Sequence, residues 1–298
     1  KMIHTKFTGL GIALITPFNE DESVDYERLG RLVEYQLQNN ADYLVVLGTT
    51  GETPTLSEEE KTEIVDFVVS KVKGRVPIVL GVGGNNTAAI VKRLQTESFV
   101  GIDAILSVVP YYNKPSQEGI YQHYSAIAKA SKLPIILYNV PGRTGVNMSV
   151  ETTIRLAREF DNIIAIKEAC GNMDQINDII KRKPKEFMVL SGDDGIAYPL
   201  ITMGAQGVIS VIGNAFPKEF GRMIRLCLQG EYESAREIHQ KFTDLFDLLF
   251  VDGNPAGVKC MLSLMGYIDN RLRLPLVPTR MDTYEKIRDV LKSLDVKC

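Results

Sequence analysis

The chain has no tryptophan, only three histidines and four cysteines in 298 residues, and no apolar run approaching the roughly 18 residues a bilayer span requires. His4, His123 and His239 are so scattered that a multi-histidine metal centre or a Ser/His/Asp triad would need long-range pairing, and no GxSxG elbow is present. Cys170, Cys227, Cys260 and Cys298 include no CxxC pair, which speaks against a zinc site or a disulfide framework. Neither sign of charge dominates: 34 basic and 37 acidic residues are interspersed, with no nucleic-acid footprint. The N-terminus lacks a basic segment followed by an apolar stretch, and Lys1 ahead of Met2 reads as an addition before the natural start. The expectation is a cytoplasmic protein that binds neither membrane nor nucleic acid. What is present, 45% hydrophobic and 24% charged residues, is ordinary globular composition and excludes disordered, collagen-like and coiled-coil classes.

Short apolar runs alternate with amphipathic stretches from the start of the chain. Eight runs are legible: Ile12–Ile15, Tyr43–Leu47, Ile78–Leu80, Ala104–Val108, Ile135–Tyr138, Ile163–Ile166, Met188–Leu190 and Val208–Val211. Most are rich in valine, isoleucine and leucine without polar alternation, as expected for parallel strands buried on both faces. Helical patterns separate them at Asp25–Gln38, from Ser57 onward with Glu60 in a capping box, and at Thr87–Ser98, Gln117–Ala130, Ser149–Glu159, Met173–Ile180 and Pro217–Leu228. Eight strand-helix units predict a (β/α)8 TIM barrel, an α/β fold, closing near residue 230. Beyond Gly230 the strands stop, and Tyr232–Phe250, Ala256–Met265 and Thr283–Leu294 read as helices, with Asp269–Pro278 an ordered surface crossing. The predicted division is a catalytic barrel, 1–230, and a C-terminal helical appendage, 231–298.

In such a barrel the chemistry lies at the C-terminal ends of the strands. Lys167 ends an otherwise apolar sixth run, and burial there favours the uncharged amine that attacks a carbonyl. The alternative is a strand-end lysine paired with Glu168 or Asp193. Tyr138 ends the fifth run, where a phenol can shuttle protons, and Arg143 follows in a loop where a guanidinium can grip a carboxylate; packing and solvation are the alternatives. Thr49 and Thr50 lie in a glycine-bracketed turn whose hydroxyls and N–H groups can cradle a carboxylate, or serve only the turn. That turn lacks P-loop spacing, and Gly81-Val82-Gly83-Gly84-Asn85-Asn86 fails GxGxxG at its last position. The acidic stretch Asn19–Asp25 lacks the central glycine and distal glutamate of a calcium loop.

Taken together, Gly48-Thr49-Thr50-Gly51-Glu52, Pro110-Tyr111-Tyr112-Asn113-Lys114-Pro115, Tyr138 to Gly145, Ile166-Lys167-Glu168-Ala169 and Ser191-Gly192-Asp193-Asp194 resemble the dihydrodipicolinate synthase family, in order from about Phe7 through Gly213. Each motif alone is weak; five in order at strand ends are specific. The resemblance implies a Schiff-base lyase, of the class I aldolase type, that condenses pyruvate with L-aspartate 4-semialdehyde on the way to diaminopimelate and lysine, with no metal or redox cofactor. It implies that Lys167 forms the imine, that Tyr138 relays protons through Thr49 and Tyr112, and that Tyr112 crosses from a neighbouring subunit of a homotetramer built as a dimer of dimers. Thr50 would hold the pyruvate carboxylate, Arg143 the semialdehyde carboxylate, and Gly192 and Ile209 would line the pyruvate pocket.

Many members of that family are inhibited by lysine at a cleft between subunits. Tyr111, Asn85 and the Thr53-Pro54 turn lie where that site belongs, but Glu58 and Lys61 stand where sensitive bacterial enzymes often show histidines, and Ala89 replaces a glutamate. Weak or absent lysine feedback is therefore expected. The rival readings are a sister aldolase such as N-acetylneuraminate lyase or a 2-keto-3-deoxy sugar acid aldolase, disfavoured by Thr49 and Arg143; a non-catalytic metabolite-binding barrel; and a pyridoxal-phosphate enzyme, disfavoured by two aspartates in the Gly192–Gly195 turn.

Overall fold

Strands with no polar alternation must be covered on both faces, and the chain meets that demand by closing its sheet. The computed structural model describes residues 5–298, so Lys1, Met2 and His4 lie outside the described residues. The strands are β1 (Gly9–Ala13), β2 (Tyr43–Val46), β3 (Ile78–Gly81), β4 (Ala104–Val108), β5 (Ile135–Asn139), β6 (Ile163–Glu168), β7 (Met188–Ser191) and β8 (Gly207–Ser210). All pair in parallel in chain order, and β8 returns to β1, so the predicted TIM barrel forms. Asn214 reinforces the closure: its Nδ2 donates to the Ala13 carbonyl at 2.7 Å and its Oδ1 accepts from the Ile15 N–H at 3.2 Å.

Around the barrel run α1 (Tyr26–Gln38), α2 (Glu58–Val72), α3 (Thr87–Thr96), α4 (Gln117–Ala130), the short α5 (Pro141–Thr144), α6 (Val150–Glu159), α7 (Met173–Arg182), α8 (Asp194–Thr202) and α9 (Pro217–Leu228). Asp25, Ser57, Asn86, Ser116, Ser149, Asn172 and Asp193 cap helix N-termini by accepting backbone N–H groups, and the Ser57–Glu60 capping box is complete. The tail forms α10 (Tyr232–Leu248), α11 (Ala256–Leu264) and α12 (Met281–Ser293), with no helix in Asp269–Pro278. Among the described residues no helix is long and apolar enough to cross a membrane. Two apolar cores follow from the closure. One joins the outer strand faces to the helices, including Phe242 and Leu245 of the tail. The other fills the barrel, with Phe7 set edge-on to Tyr43 at 5.6 Å.

Two sequence expectations need correction, and one helix has no sequence pattern to announce it. β1 starts at Gly9 rather than Ile12, because Gly9 and Gly11 interrupt the apolar run. A Cβ on Gly11 would lie 2.3 Å from the Tyr43 ring, so this glycine admits a large neighbour inside the barrel. α8 has no amphipathic stripe and carries Pro199 within it, so its pattern does not announce a helix. Finally, β6 is not a regular strand. Ile163 pairs with Ile135, but Ala165 pairs with Ile136, leaving Ile164 as an extra residue. Ile164 and Ala165 both face the inner core, whereas Ile163 and Ile166 face outward.

Candidate active site

That bulge decides where Lys167 points. In unbroken register Ile166 would stand opposite Tyr138 and Lys167 would face the helices; with one residue inserted, Lys167 pairs with Tyr138 and turns into the barrel. Lys167 is buried, and its Nζ lies 4.0 Å from the centroid of the Tyr138 ring. On the other side β7 places Leu190 level with it. Gly192 comes next, where a Cβ would lie 3.2 Å from Lys167 Cε and 2.8 Å from the Ala169 Cβ. The missing side chain leaves room beside the amine. Ile209, on β8 opposite Gly11, is buried in the same inner core.

Both carboxylates offered by the sequence as ion-pair partners for Lys167 are engaged elsewhere. Glu168 points out of the barrel, where Asn139 Nδ2 and the Cys170 N–H each donate to its Oε1 at 3.0 Å. Burial pushes its pKa up to about 7 against those hydrogen bonds. Asp193 accepts the Gly195 N–H at 2.8 Å as a helix cap. Its neighbour Asp194 is buried and accepts from the Ser210 hydroxyl and the Val211 and Ile212 N–H groups.

Thr49 and Thr50 form a single 3₁₀ turn, Thr49–Gly51, at the end of β2. The Thr16 hydroxyl donates to the Gly51 carbonyl at 2.7 Å and the Thr53 hydroxyl to the Gly48 carbonyl at 2.8 Å, which tie the turn down from both sides. Thr50 is buried. Arg143 is exposed on α5, which Gly145 ends in a left-handed conformation. Tyr112 is not brought to Lys167 of its own chain: the residue is 87% exposed, while its N–H donates to the Thr144 carbonyl at 3.2 Å. The fold thus gathers Lys167, Tyr138, Gly192 and Ile209 in the barrel, puts the threonine turn and Arg143 at strand ends, and leaves Tyr112 facing outward.

The tail contributes residues that the strand-end reading missed. Asn254, between α10 and α11, donates from Nδ2 to Thr50 Oγ1 at 2.9 Å. Lys259 of α11 is fully buried against Glu52 at 2.5 Å, and the Arg273 N–H donates to the other Glu52 oxygen at 3.1 Å. The available signal was Lys259 itself, a lone charge in the apolar helix Ala256–Leu264.

A buried lysine and a tyrosine side by side at the open end of a (β/α)8 barrel suit imine chemistry on a keto acid. Residues 6–294 match the Dihydrodipicolinate synthetase family. The chain belongs to this family. It is 70% identical, over the whole of both chains, to the 4-hydroxy-tetrahydrodipicolinate synthase of Parabacteroides distasonis. Among solved structures it superimposes with a TM-score of 0.94 on the chloride-inhibited dihydrodipicolinate synthase of Acinetobacter baumannii complexed with pyruvate, at 40% identity over 97% of this chain and 99% of that one. A structure described as a monomeric dihydrodipicolinate synthase variant matches with a TM-score of 0.95, at 43% identity over 98% of each chain.

Proposed function

We propose that this family member is a 4-hydroxy-tetrahydrodipicolinate synthase, a lyase that condenses pyruvate with L-aspartate 4-semialdehyde through a Schiff base in diaminopimelate and lysine biosynthesis. The observation that carries the reading is Lys167 turned into the barrel by the β6 bulge, over the Tyr138 ring and beside side-chain-free Gly192. The Lys167 amine adds to the pyruvate carbonyl and water leaves, giving an iminium. Loss of a methyl proton makes an enamine, whose carbon attacks the aldehyde while the new alkoxide takes a proton. The semialdehyde's own amine then displaces Lys167 as the ring closes.

In this reading Tyr138 moves the protons, with Thr49 and the Tyr112 of a neighbouring subunit completing a hydroxyl relay. Thr50 holds the pyruvate carboxylate, Arg143 receives the semialdehyde carboxylate, and Gly192 and Ile209 shape the pyruvate pocket. The working form is a homotetramer in the cytoplasm, and the chain divides into a catalytic barrel, 1–230, and a helical region, 231–298. The A. baumannii neighbour, complexed with pyruvate, supports the choice of keto acid.

The test is intact mass and peptide mapping after incubation with pyruvate and borohydride. One reduced pyruvate on Lys167 is expected; no adduct on folded protein would overturn the mechanism in favour of a binding protein. Arg143→Ala separates the second substrate from the first. It should raise the semialdehyde KM or lower turnover while leaving the pyruvate adduct intact, and unchanged kinetics would remove Arg143 from its role.

A further inference from the structure

Thr50 and Asn254 are 204 positions apart, and both are buried where their side chains meet. A threonine hydroxyl has one proton and two lone pairs. With the Asn254 N–H occupying a lone pair at 2.9 Å, the Thr50 proton must be directed away from Asn254. The contact is held from the side by a second pair. Glu52, in left-handed backbone at φ 56°, sends its carboxylate to the Lys259 ammonium at 2.5 Å and to the Arg273 N–H. Lys259 Nζ donates also to the Arg271 carbonyl at 2.8 Å, so the ion pair has little freedom to slide. Breaking a buried pair by removing one partner strands a charge, which keeps α11 seated against the turn. The same α11 start carries Asn254 to Thr50.

We infer that Asn254, pinned to the Thr49–Glu52 turn by the buried Glu52–Lys259 pair, is a positioning residue that orients the Thr50 hydroxyl to donate its proton to the carboxylate of the keto-acid substrate. This rests on the reading of Thr50 as the carboxylate holder. A hydroxyl presented as a donor needs no reorientation when an anion arrives. One left free to rotate, or turned towards an acceptor, does. Asn254 thereby makes the C-terminal region part of pyruvate recognition without touching pyruvate.

The experiment is a double-mutant cycle of Asn254→Ala and Thr50→Val, read as the pyruvate concentration that half-saturates the borohydride-trapped adduct, together with both KM values and the thermal midpoint. Asn254→Ala should weaken pyruvate about tenfold, the scale of one hydrogen bond to a charged group, and leave the semialdehyde KM within about twofold. In the Thr50→Val background it should cost nothing further. Asn254→Asp keeps the shape but replaces the donor with an acceptor that captures the Thr50 proton, so it should be worse than alanine. Additive losses in the cycle, or a folded Asn254→Asp nearer wild type than Asn254→Ala, would overturn the inference and leave Asn254 a packing residue. If Asn254→Ala fails to fold, unchanged pyruvate half-saturation in Asn254→Asp overturns it equally. The underlying reading fails separately: wild type without an adduct removes the Schiff base, and Thr50→Val with normal pyruvate binding removes the role of Thr50.

Discussion

Glu168 follows Lys167 in sequence and faces the opposite side of β6, buried among Asn139 and the Cys170 N–H. Its carboxyl is held at a pKa of about 7, against 4.5 ordinarily, because burial disfavours the charged form. Folding therefore favours its protonated form. That contribution to stability is complete below about pH 4.5 and is lost as pH rises through 7. Glu168→Gln does not titrate, and its single Oε1 can still accept from both Asn139 and Cys170. Its stability relative to wild type should climb between pH 4.5 and 7, by at most about 1.4 kcal/mol per pH unit, and then level off. Urea unfolding of both proteins across pH 5 to 8 checks this, and a constant difference refutes it. The difference is the right quantity because His123, pushed down to about 4 by burial, gives wild type an opposing slope. At this scale the sequence was legible where position alone carried meaning. Lys167, Tyr138 and the threonine turn stand at strand ends, which strand counting locates. Asn254 was not legible, since its partner is 204 residues away and nothing local marks the pairing.

Elements were legible where their pattern was uniform, and lost where one residue does two jobs. β4, α4 and α9 fall where their apolar periods place them. The β6 bulge has no sequence signature, because Ile163-Ile164-Ala165-Ile166 reads equally well as a straight buried strand. The early part of β1 was hidden because Gly11 is there for its neighbour: Gly11 and Tyr43 are register partners, and the tyrosine ring occupies the space of a Cβ. Gly11→Ala should therefore overpack the barrel, costing about 2 kcal/mol or more. Tyr43→Val clears the ring and leaves a cavity of its own, so the double variant should lose less than the two single losses added together. Unfolding free energies of the three variants decide it. Strict additivity would show that the ring contact is not what requires glycine.

Two features of the molecular surface bear on the proposed assembly. Glu58 and Lys61 pair with each other at 2.7 Å where α2 begins, and Ala89, in the first turn of α3, offers no carboxylate to an amine. Lysine should inhibit the initial rate weakly or not at all, and inhibition at submillimolar lysine would sink that expectation. Tyr112 is the stronger case. A bulky residue at φ 73° is strained, and here the loop backbone holds it through Thr144 while Asn113 Nδ2 donates to the Asn85 carbonyl at 3.0 Å, with the phenol left in the open. If that phenol completes the relay of a neighbouring subunit, a two-fold pair of chains exchanges tyrosines, and each site is built from two chains. Tyr112→Phe should then lower kcat about a hundredfold, the scale of a lost proton relay, while pyruvate still forms its adduct. Mixing and reassembling Tyr112→Phe with Lys167→Ala chains should restore activity, because a mixed pair contains one site with both an intact lysine and an intact tyrosine. Half of randomly paired chains being mixed, with one good site of two, the recovery should approach about a quarter of wild type. A tyrosine acting within its own chain predicts no recovery at all, since neither parent then holds a complete site, and fully active monomers at assay concentration would exclude the exchange outright.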